Sequence, residues 1–166
     1  MLRVFTCIHV HYIVLIGPFF LPDRLNGESF RRFLSNDLPI LMENVPLQFR
    51  QNSWIQLDGC PSHYARQVRN WLDEHYAHRW IGRGGPVFWP PRSPDLTPLD
   101  FYLWATLKNK VYSTEVISLE DLKQRITNSV TEMQQNFQEC RTVTNSVLRR
   151  CLACIDAQGQ HFEMRH

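Results

Sequence analysis

Three aspartates stand at points where the chain changes direction. Asp58 ends the run Ser53-Trp54-Ile55-Gln56-Leu57-Asp58 and is followed by Gly59. Asp95 follows the proline-rich stretch Pro90-Pro91-Arg92-Ser93-Pro94, and Asp100 comes two residues after Pro98. Asp58 closes a predicted strand ahead of a predicted helix, the place where open α/β sheets hold ligands. Asp100 falls in the first turn of another predicted helix. Two or three carboxylates with no surrounding Cys/His cage suit a hard cation such as Mg²⁺, which takes oxygen ligands and keeps several waters. Spacing alone does not separate that reading from ordinary turn and first-turn aspartates.

Other candidates carry less. Cys151-x-x-Cys154 lacks the second pair a zinc ribbon needs, and it lies in an amphipathic helix, so it reads as two buried thiols. His9 and His11 alternate along a strand with no third ligand near them in sequence. The loop Gly82-Arg83-Gly84-Gly85 matches no nucleotide-binding glycine pattern. Arg66, Arg69, Arg79, Arg83 and Arg92 are interleaved with Trp80, Phe88 and Trp89. Guanidinium groups grip phosphate and flat rings stack on bases, so this is the best local nucleic-acid signature, set against a plain solvated face.

The chain has 166 residues, a length that suits one domain. Hydrophobic residues make up 43% and charged residues 20%, which excludes a disordered chain. Lys plus Arg is 18 against 16 Asp plus Glu, a net charge of +2. A balance so close to zero excludes a polybasic tail binder and leaves nucleic-acid contact to local clusters. Five cysteines, an odd number, fit a reducing compartment better than a disulfide framework. The most apolar stretch, Tyr12 to Leu21, is ten residues long, against the roughly 20 of a membrane-spanning helix. No small-residue cleavage site follows it, so it reads as strand rather than signal peptide.

The elements that must position these residues follow from periodicity. Leu2–His9 and Tyr12–Leu21 read as strands rich in β-branched and aromatic residues, breaking at Gly17-Pro18. Glu28–Glu43 reads as a helix on Phe30, Phe33, Leu34, Leu38 and Leu41, kinked or split at Pro39. Ser53–Asp58 is a short strand. A helix follows from Pro61, with Tyr64, Val68, Trp71, Leu72 and Tyr76 on one face. Trp80-Ile81 and Val87-Phe88-Trp89 flank a glycine-rich loop as a short strand or hairpin. Pro98 opens a helix on Leu99, Leu103, Leu107 and Val111. Ser118 caps a helix on Leu122, Ile126, Val130 and Met133. The last helix runs from about Thr142 to Asp156 on Val143, Val147, Cys151 and Ile155, with Gly159 just beyond. Helices alternating with strands predict an α/β fold, and no linker or repeat divides the chain.

Two strings then carry a resemblance. WIQLDGCPSHYARQVRNWL resembles the second-aspartate segment of mariner-type transposases, in which a strand ends in Asp and Pro and His precede a helix with a Val-Arg step. WPPRSPDLTPLDFYLW resembles their third-acid segment, in which Ser-Pro-Asp-Leu-x-Pro-x-Asp/Glu leads into a helix carrying Leu-Trp. Both motifs occur in the right order, and the resemblance extends from Gly17-Pro18-Phe19-Phe20 to the C-terminal helix. It implies the RNase H-like fold of D-D-D/E transposases, a mixed sheet with flanking helices, over residues 1–166.

Carried over by residue, the resemblance implies that Asp58 and Asp100 are catalytic and metal-binding acids. Asp95 becomes a turn residue that caps the Pro98 helix. Residues 59 to 99 lie between the two acids, a longer spacing than is usual in the family, and the glycine-rich stretch 82–86 houses the excess. His63 matches a family histidine near the site that contacts DNA or orients a carboxylate. With Arg66, Arg69, Arg83 and Arg92 it forms the expected DNA-binding set. The implied cofactor is Mg²⁺ or Mn²⁺, as two ions about 3.5–4 Å apart. The implied partners are DNA and a second copy of the chain, without a membrane, and the implied location is the nucleus.

The sequence departs from the family at its start. The family's first aspartate lies on an opening strand ahead of the one matching Leu2–His9, and a helix-turn-helix module precedes that strand. Neither is found in these residues, and Asp23 lies in a later turn. The expectation is a truncated catalytic domain, its first strand missing, with metal binding doubtful and no DNA cleavage when alone. The alternative is a decayed or repurposed RNase H-like scaffold that binds DNA or another partner without chemistry. Asp58 and Asp100 are expected to converge, with Asp95 pointing elsewhere.

Overall fold

In the computed structural model, which describes residues 3–9, 14–89, 93–160 and 162, Asn26 starts the first helix. Its Oδ1 accepts from the Ser29 amide at 2.9 Å, and its own amide donates to Ser29 Oγ at 3.0 Å. This reciprocal cap satisfies two donors that a helix start leaves unpaired. Ahead of it, β1 (Arg3–His9) and β2 (Val14–Leu21) form a two-stranded ladder. β2 does not break at Gly17-Pro18 as expected. Gly17 has φ 113°, a region glycine enters without steric cost, so the strand bends and continues. The expected opening of this strand at Tyr12 lies outside the described residues.

The first long helix is divided, as Pro39 predicts. It runs as α1 (Gly27–Arg32), a wide helical turn over Phe33–Asp37, and α2 (Leu38–Leu41). Proline lacks an N–H and crowds the carbonyl four residues back, and the wider turn ahead of it absorbs the misfit. Phe30, Phe33, Leu34 and Leu38 are buried; Leu41 is half-buried. α3 (Leu47–Gln51) was not predicted, because five residues are too short to show a periodic stripe.

β3 is shorter than the expected strand and covers Ile55–Gln56. It pairs in parallel with β4 (Trp80–Ile81), Ile55 opposite Trp80 and Gln56 opposite Ile81. Flanking bonds lengthen the contact: the Ile55 amide donates to the Arg79 carbonyl at 3.1 Å and the Leu57 amide to Ile81 at 2.8 Å. Among the described residues the strands pair as two ladders, β1 with β2 and β3 with β4, not as one continuous sheet. Strands of two residues offer few ladder groups to a further neighbour. Of the short strand or hairpin expected around the glycine-rich loop, Trp80–Ile81 forms the strand β4 and no hairpin follows among the described residues. Gly82 donates to the Val87 carbonyl at 3.0 Å, but Ile81 and Val87 bridge in parallel because the loop curls round through Gly84 at φ 76°.

α4 (Arg66–His75) starts later than Pro61, because turns occupy residues 61–64. Val68, Trp71 and Leu72 form its buried face, while Tyr64 is exposed. α1 and α4 pack closely: Gly27 approaches Ala65 so nearly that a side-chain carbon there has no room.

A short 3₁₀ turn over Pro94–Leu96 and a wide helical turn over Leu99–Leu103 lead into α5 (Trp104–Val111). Leu103, Leu107 and Val111 are buried, as their spacing predicts. α6 (Leu119–Gln135) is capped by Ser118 Oγ, which accepts from the Asp121 amide at 3.0 Å, and it buries Ile126, Val130 and Met133. α7 (Phe137–Asp156) begins earlier than Thr142 because Asn136 caps it, accepting from the Glu139 amide at 3.2 Å. Its inner face is Cys140, Val143 and Thr144. Ile155, expected on that face, is 70% exposed, and Cys151 and Cys154 are half-buried rather than buried.

The backbone divides into two compact units. One comprises Met1–Phe5 and Phe19–Arg92, the other Thr6–Pro18 and Ser93–His166. The core of the first is centred on Phe30, Phe33, Leu34, Val68, Leu72 and Trp80, and that of the second on Leu15, Leu103 and Val130. No helix among the described residues is long and apolar enough to cross a membrane.

Candidate metal and nucleic-acid site

Asp58 lies two residues beyond β3, where the chain leaves the ladder and tightens into a turn. Its Oδ1 accepts twice, from the Cys60 amide at 3.0 Å and from His63 Nδ1 at 2.7 Å. The turn is closed by the Cys60 carbonyl, which accepts from the amides of His63 and Tyr64 at 2.9 and 3.3 Å. A carboxylate that binds nearby backbone offers the chain an alternative to helix, which is why α4 waits until Arg66. The Asp58 side chain remains 67% exposed, whereas that of His63 is 18% exposed.

The electrostatics follow from those bonds. The hydrogen bond from His63, then the Cys60 amide and the charge attraction of the ring, hold the Asp58 carboxyl below its ordinary 3.8 against the opposing effect of burial. An ionised carboxylate only accepts, so Nδ1 of His63 carries the shared proton. The ring is fixed from its other side by Phe30, 4.3 Å away between centroids at 39°. Phe30 is fully buried in α1. Tertiary packing thus sets the histidine's aim at the acid.

Cys60 is the residue that the sequence reading missed. Its side chain, that of Asp58 and that of His63 offer ligand atoms within 4.8 Å of one another. Asp58 thus has a thiol and an imidazole beside it, which the reading of a carboxylate site with no Cys/His cage did not include. The signal was in the chain as Asp58-x-Cys60-x-x-His63, but only the turn brings the three together.

The basic residues separate into distinct roles. Arg69 and Arg83 both lie against the Tyr64 ring, with guanidinium carbons 4.6 and 4.3 Å from its centroid. Arg69 Nε also donates to the Tyr64 carbonyl at 3.2 Å. Gly84 completes the group, since a Cβ there would meet Tyr64 Cε2 at 3.1 Å and Arg69 Cδ at 3.3 Å. Arg66 is exposed at the start of α4. Arg79 is committed elsewhere: Nη1 donates to the carbonyls of Gln51 at 2.6 Å and Ser53 at 3.0 Å, tying the end of α3 and the residues after it to the start of β4. Arg92 lies outside the described residues, as do His11 and the Pro90-Pro91 segment.

Asp100 belongs to the second unit. It is exposed in the first turn of the wide helical segment, and its amide donates to the Thr97 carbonyl at 2.9 Å. Asp95 lies inside the 3₁₀ turn and does not cap the next helix as expected; Pro98 occupies that cap position without a side-chain bond. The local reason is that Leu96 and Thr97 donate back to Ser93 and Pro94, holding Asp95 within its own turn. The Asp95 carbonyl accepts from Arg150 Nη1 at 3.3 Å, and the Arg150 guanidinium covers the Phe101 ring at 3.9 Å. Both contacts anchor this segment to α7.

No protein-family model matches this chain. Two Caenorhabditis briggsae proteins, the Transposable element Tcb1 transposase and the Transposable element Tcb2 transposase, are each 27% identical to it over 108 and 112 residues. These regions are 64% and 63% of this chain but 36% and 35% of the relatives, so the match spans roughly a third of their length. The crystal structure of the catalytic domain of Mos1 mariner transposase superposes with a TM-score of 0.74 at 21% identity, over 90% of this chain and 71% of that one.

The fold is that of a mariner transposase catalytic domain.

The resemblance read from the two aspartate motifs is thus borne out in sequence and in fold. A structure of the Mos1 transposase catalytic domain with Raltegravir and Mn gives a TM-score of 0.76 at 20% identity, over 98% of this chain and 83% of that one. The Mos1 mariner paired end complex with Mn gives 0.72 at 21% identity, over 90% and 42%. The mariner catalytic fold also accounts for the RNase H-like class expected here, although the ladders of this chain are short.

Proposed function

We propose that this chain carries part of the catalytic domain of a D-D-D/E transposase, whose chemistry is metal-dependent phosphodiester cleavage and strand transfer of DNA. The observation that carries the reading is the placement of two motif acids on the expected elements: Asp58 just past a strand end, and Asp100 at a helix start. The curated relatives are transposases, and Mos1 structures include one with Mg, a paired end complex with Mn and a Strand Transfer Complex. These support a divalent cation and DNA as the ligands of this chain; a nuclear location and a second copy as a partner are proposed from the resemblance alone.

Asp58 fits a hard cation. Oδ1 is held by two donors, while Oδ2 has no hydrogen bond among the described residues and the side chain is open to water. By resemblance, Asp58 and Asp100 are each a ligand for Mg²⁺ or Mn²⁺, which when bound would supply charge neutralisation to a phosphodiester and acidify a bound water. His63 keeps the Asp58 carboxylate ionised and oriented. Arg66, Arg69 and Arg83, with Arg92 by resemblance alone, neutralise DNA phosphates, and the Tyr64 ring pre-orders two of their guanidinium groups.

The 166 residues supply two acids at family positions, and the reaction uses three. We therefore expect this chain alone not to cut DNA. The test incubates plasmid DNA and Mg²⁺ or Mn²⁺ with this chain, its Asp58→Ala variant, and a form extended by an upstream Asp-bearing strand. Cleavage only by the extended form supports the reading. Nicking by the short chain that vanishes in Asp58→Ala would show that another acid completes the site. DNA binding without cleavage in every form would favour a non-catalytic scaffold.

A further inference from the structure

The turn that presents Asp58 contains a second kind of ligand set. Asp58, Cys60 and His63 place a carboxylate oxygen, a thiol sulfur and an imidazole nitrogen within 4.8 Å of one another. Zn²⁺ binds these three donors at about 2.0–2.3 Å in a tetrahedron, which puts neighbouring ligand atoms roughly 3–4 Å apart. The cluster therefore needs small side-chain adjustments, chiefly the opening of the 2.7 Å contact between Asp58 and His63. Backbone bonds to the Cys60 carbonyl already close the turn that carries all three residues. Phe30 restrains the His63 ring.

We propose that Asp58, Cys60 and His63 form a zinc site with an open fourth position for water. The donor chemistry decides the metal. Mg²⁺ prefers oxygen ligands and has little use for a thiol, whereas sulfur and imidazole donors select Zn²⁺. On binding, the Cys60 thiol releases its proton to solvent and its sulfur bonds to the ion, while His63 gives up the Nδ1 proton and keeps or takes one on Nε2, so that a neutral imidazole bonds through Nδ1. Exposure of Asp58 leaves a path for entry. Cys60 is half-buried, with Sγ 3.1 Å from Ser62 Oγ, a contact that supports the ligand from outside the cluster. The site itself stands on this geometry. Its consequence rests on the proposed function: Zn²⁺ here withdraws Asp58 from a hard-cation role and inhibits Mg²⁺-dependent chemistry.

The test reads metal binding directly in the full chain, without activity. Co²⁺ is used as the spectroscopic probe for Zn²⁺. One equivalent is expected to produce a thiolate-to-cobalt charge-transfer band and tetrahedral visible bands, both abolished by Zn²⁺ and unaffected by a large excess of Mg²⁺. Cys60→Ser should remove the charge-transfer band, and His63→Ala should weaken Co²⁺ binding at least tenfold. The Cys151→Ser/Cys154→Ser double variant should keep the band. On the unaltered chain, Zn²⁺ should slow alkylation of Cys60 at least tenfold relative to Cys151, read by mass spectrometry, which needs no variant to fold. Absence of the band, its survival in Cys60→Ser, its loss in the double variant, or unprotected Cys60 would each overturn the site. A failure to cut DNA in the extended form would leave these spectra unchanged and count only against the transposase reading.

Discussion

His63 Nδ1 lies 2.7 Å from Asp58 Oδ1, so the histidine and the motif acid form one hydrogen-bonded unit. The pair sits in a turn whose backbone is closed on the Cys60 carbonyl, and a buried phenylalanine from α1 backs the ring. Each of these links has a measurable consequence.

Removing the donor should raise the Asp58 pKa. His63 is the largest cause holding that carboxyl below 3.8, so His63→Ala should move its midpoint upward, read by carboxyl NMR titration. The sign for stability follows. A depressed carboxylate stabilises the fold above its unfolded-state pKa, and this is lost as pH falls through the folded value. The stability gap between the parent chain and His63→Ala should therefore narrow on acidification below pH 3.8. A gap that widens there would contradict the role assigned to His63.

Phe30 links the core to the site. Phe30→Ala should cost about 3–5 kcal/mol of stability, the usual loss for a fully buried phenylalanine. Phe30→Leu preserves most of the apolar packing and should cost about 1 kcal/mol. It should nevertheless loosen the His63 ring and raise the Asp58 midpoint. Denaturant midpoints together with the same carboxyl titration separate the two effects.

Gly27 is a packing requirement. Any side-chain carbon at this position meets Ala65, so Gly27→Ala should destabilise the chain by about 1–3 kcal/mol through overpacking of α1 against α4. Alanine's better helix propensity, worth up to about 1 kcal/mol, acts the other way and should not prevail. Thermal unfolding checks the sign.

The arginines should divide by function. Arg69→Ala and Arg83→Ala should each weaken binding to a DNA duplex and lower the salt slope by about 1 if each meets a phosphate. Arg79→Ala should leave the slope unchanged and instead reduce stability, because its guanidinium bonds two backbone carbonyls. Fluorescence anisotropy from about 50 to 200 mM salt separates the two groups. An unchanged slope in Arg69→Ala and Arg83→Ala would remove the Tyr64 cluster from the DNA-binding face.

Several features of this protein were written in local sequence. The apolar spacing of Leu103, Leu107 and Val111, and of Ile126, Val130 and Met133, specifies the buried faces of α5 and α6, because a helix repeats every 3.6 residues whatever it packs against. Ser118 marked a helix start, and Pro39 marked the interruption of another, for equally local reasons. The Asp58 and Asp100 motifs pointed to the mariner fold. Other features depended on how distant segments meet. Two-residue strands carry too little pattern to reveal the parallel pairing of Ile55 with Trp80, and the parallel return of Val87 to Ile81 depends on the path of a glycine loop. The string Asp58-x-Cys60-x-x-His63 names the three residues, but a turn, unlike a helix, has no fixed side-chain period, so spacing alone does not bring them together. The aim of His63 required Phe30, and the ordering of Arg69 and Arg83 required Tyr64. Periodicity records which residues are buried; close packing and hydrogen bonding decide which functional atoms meet.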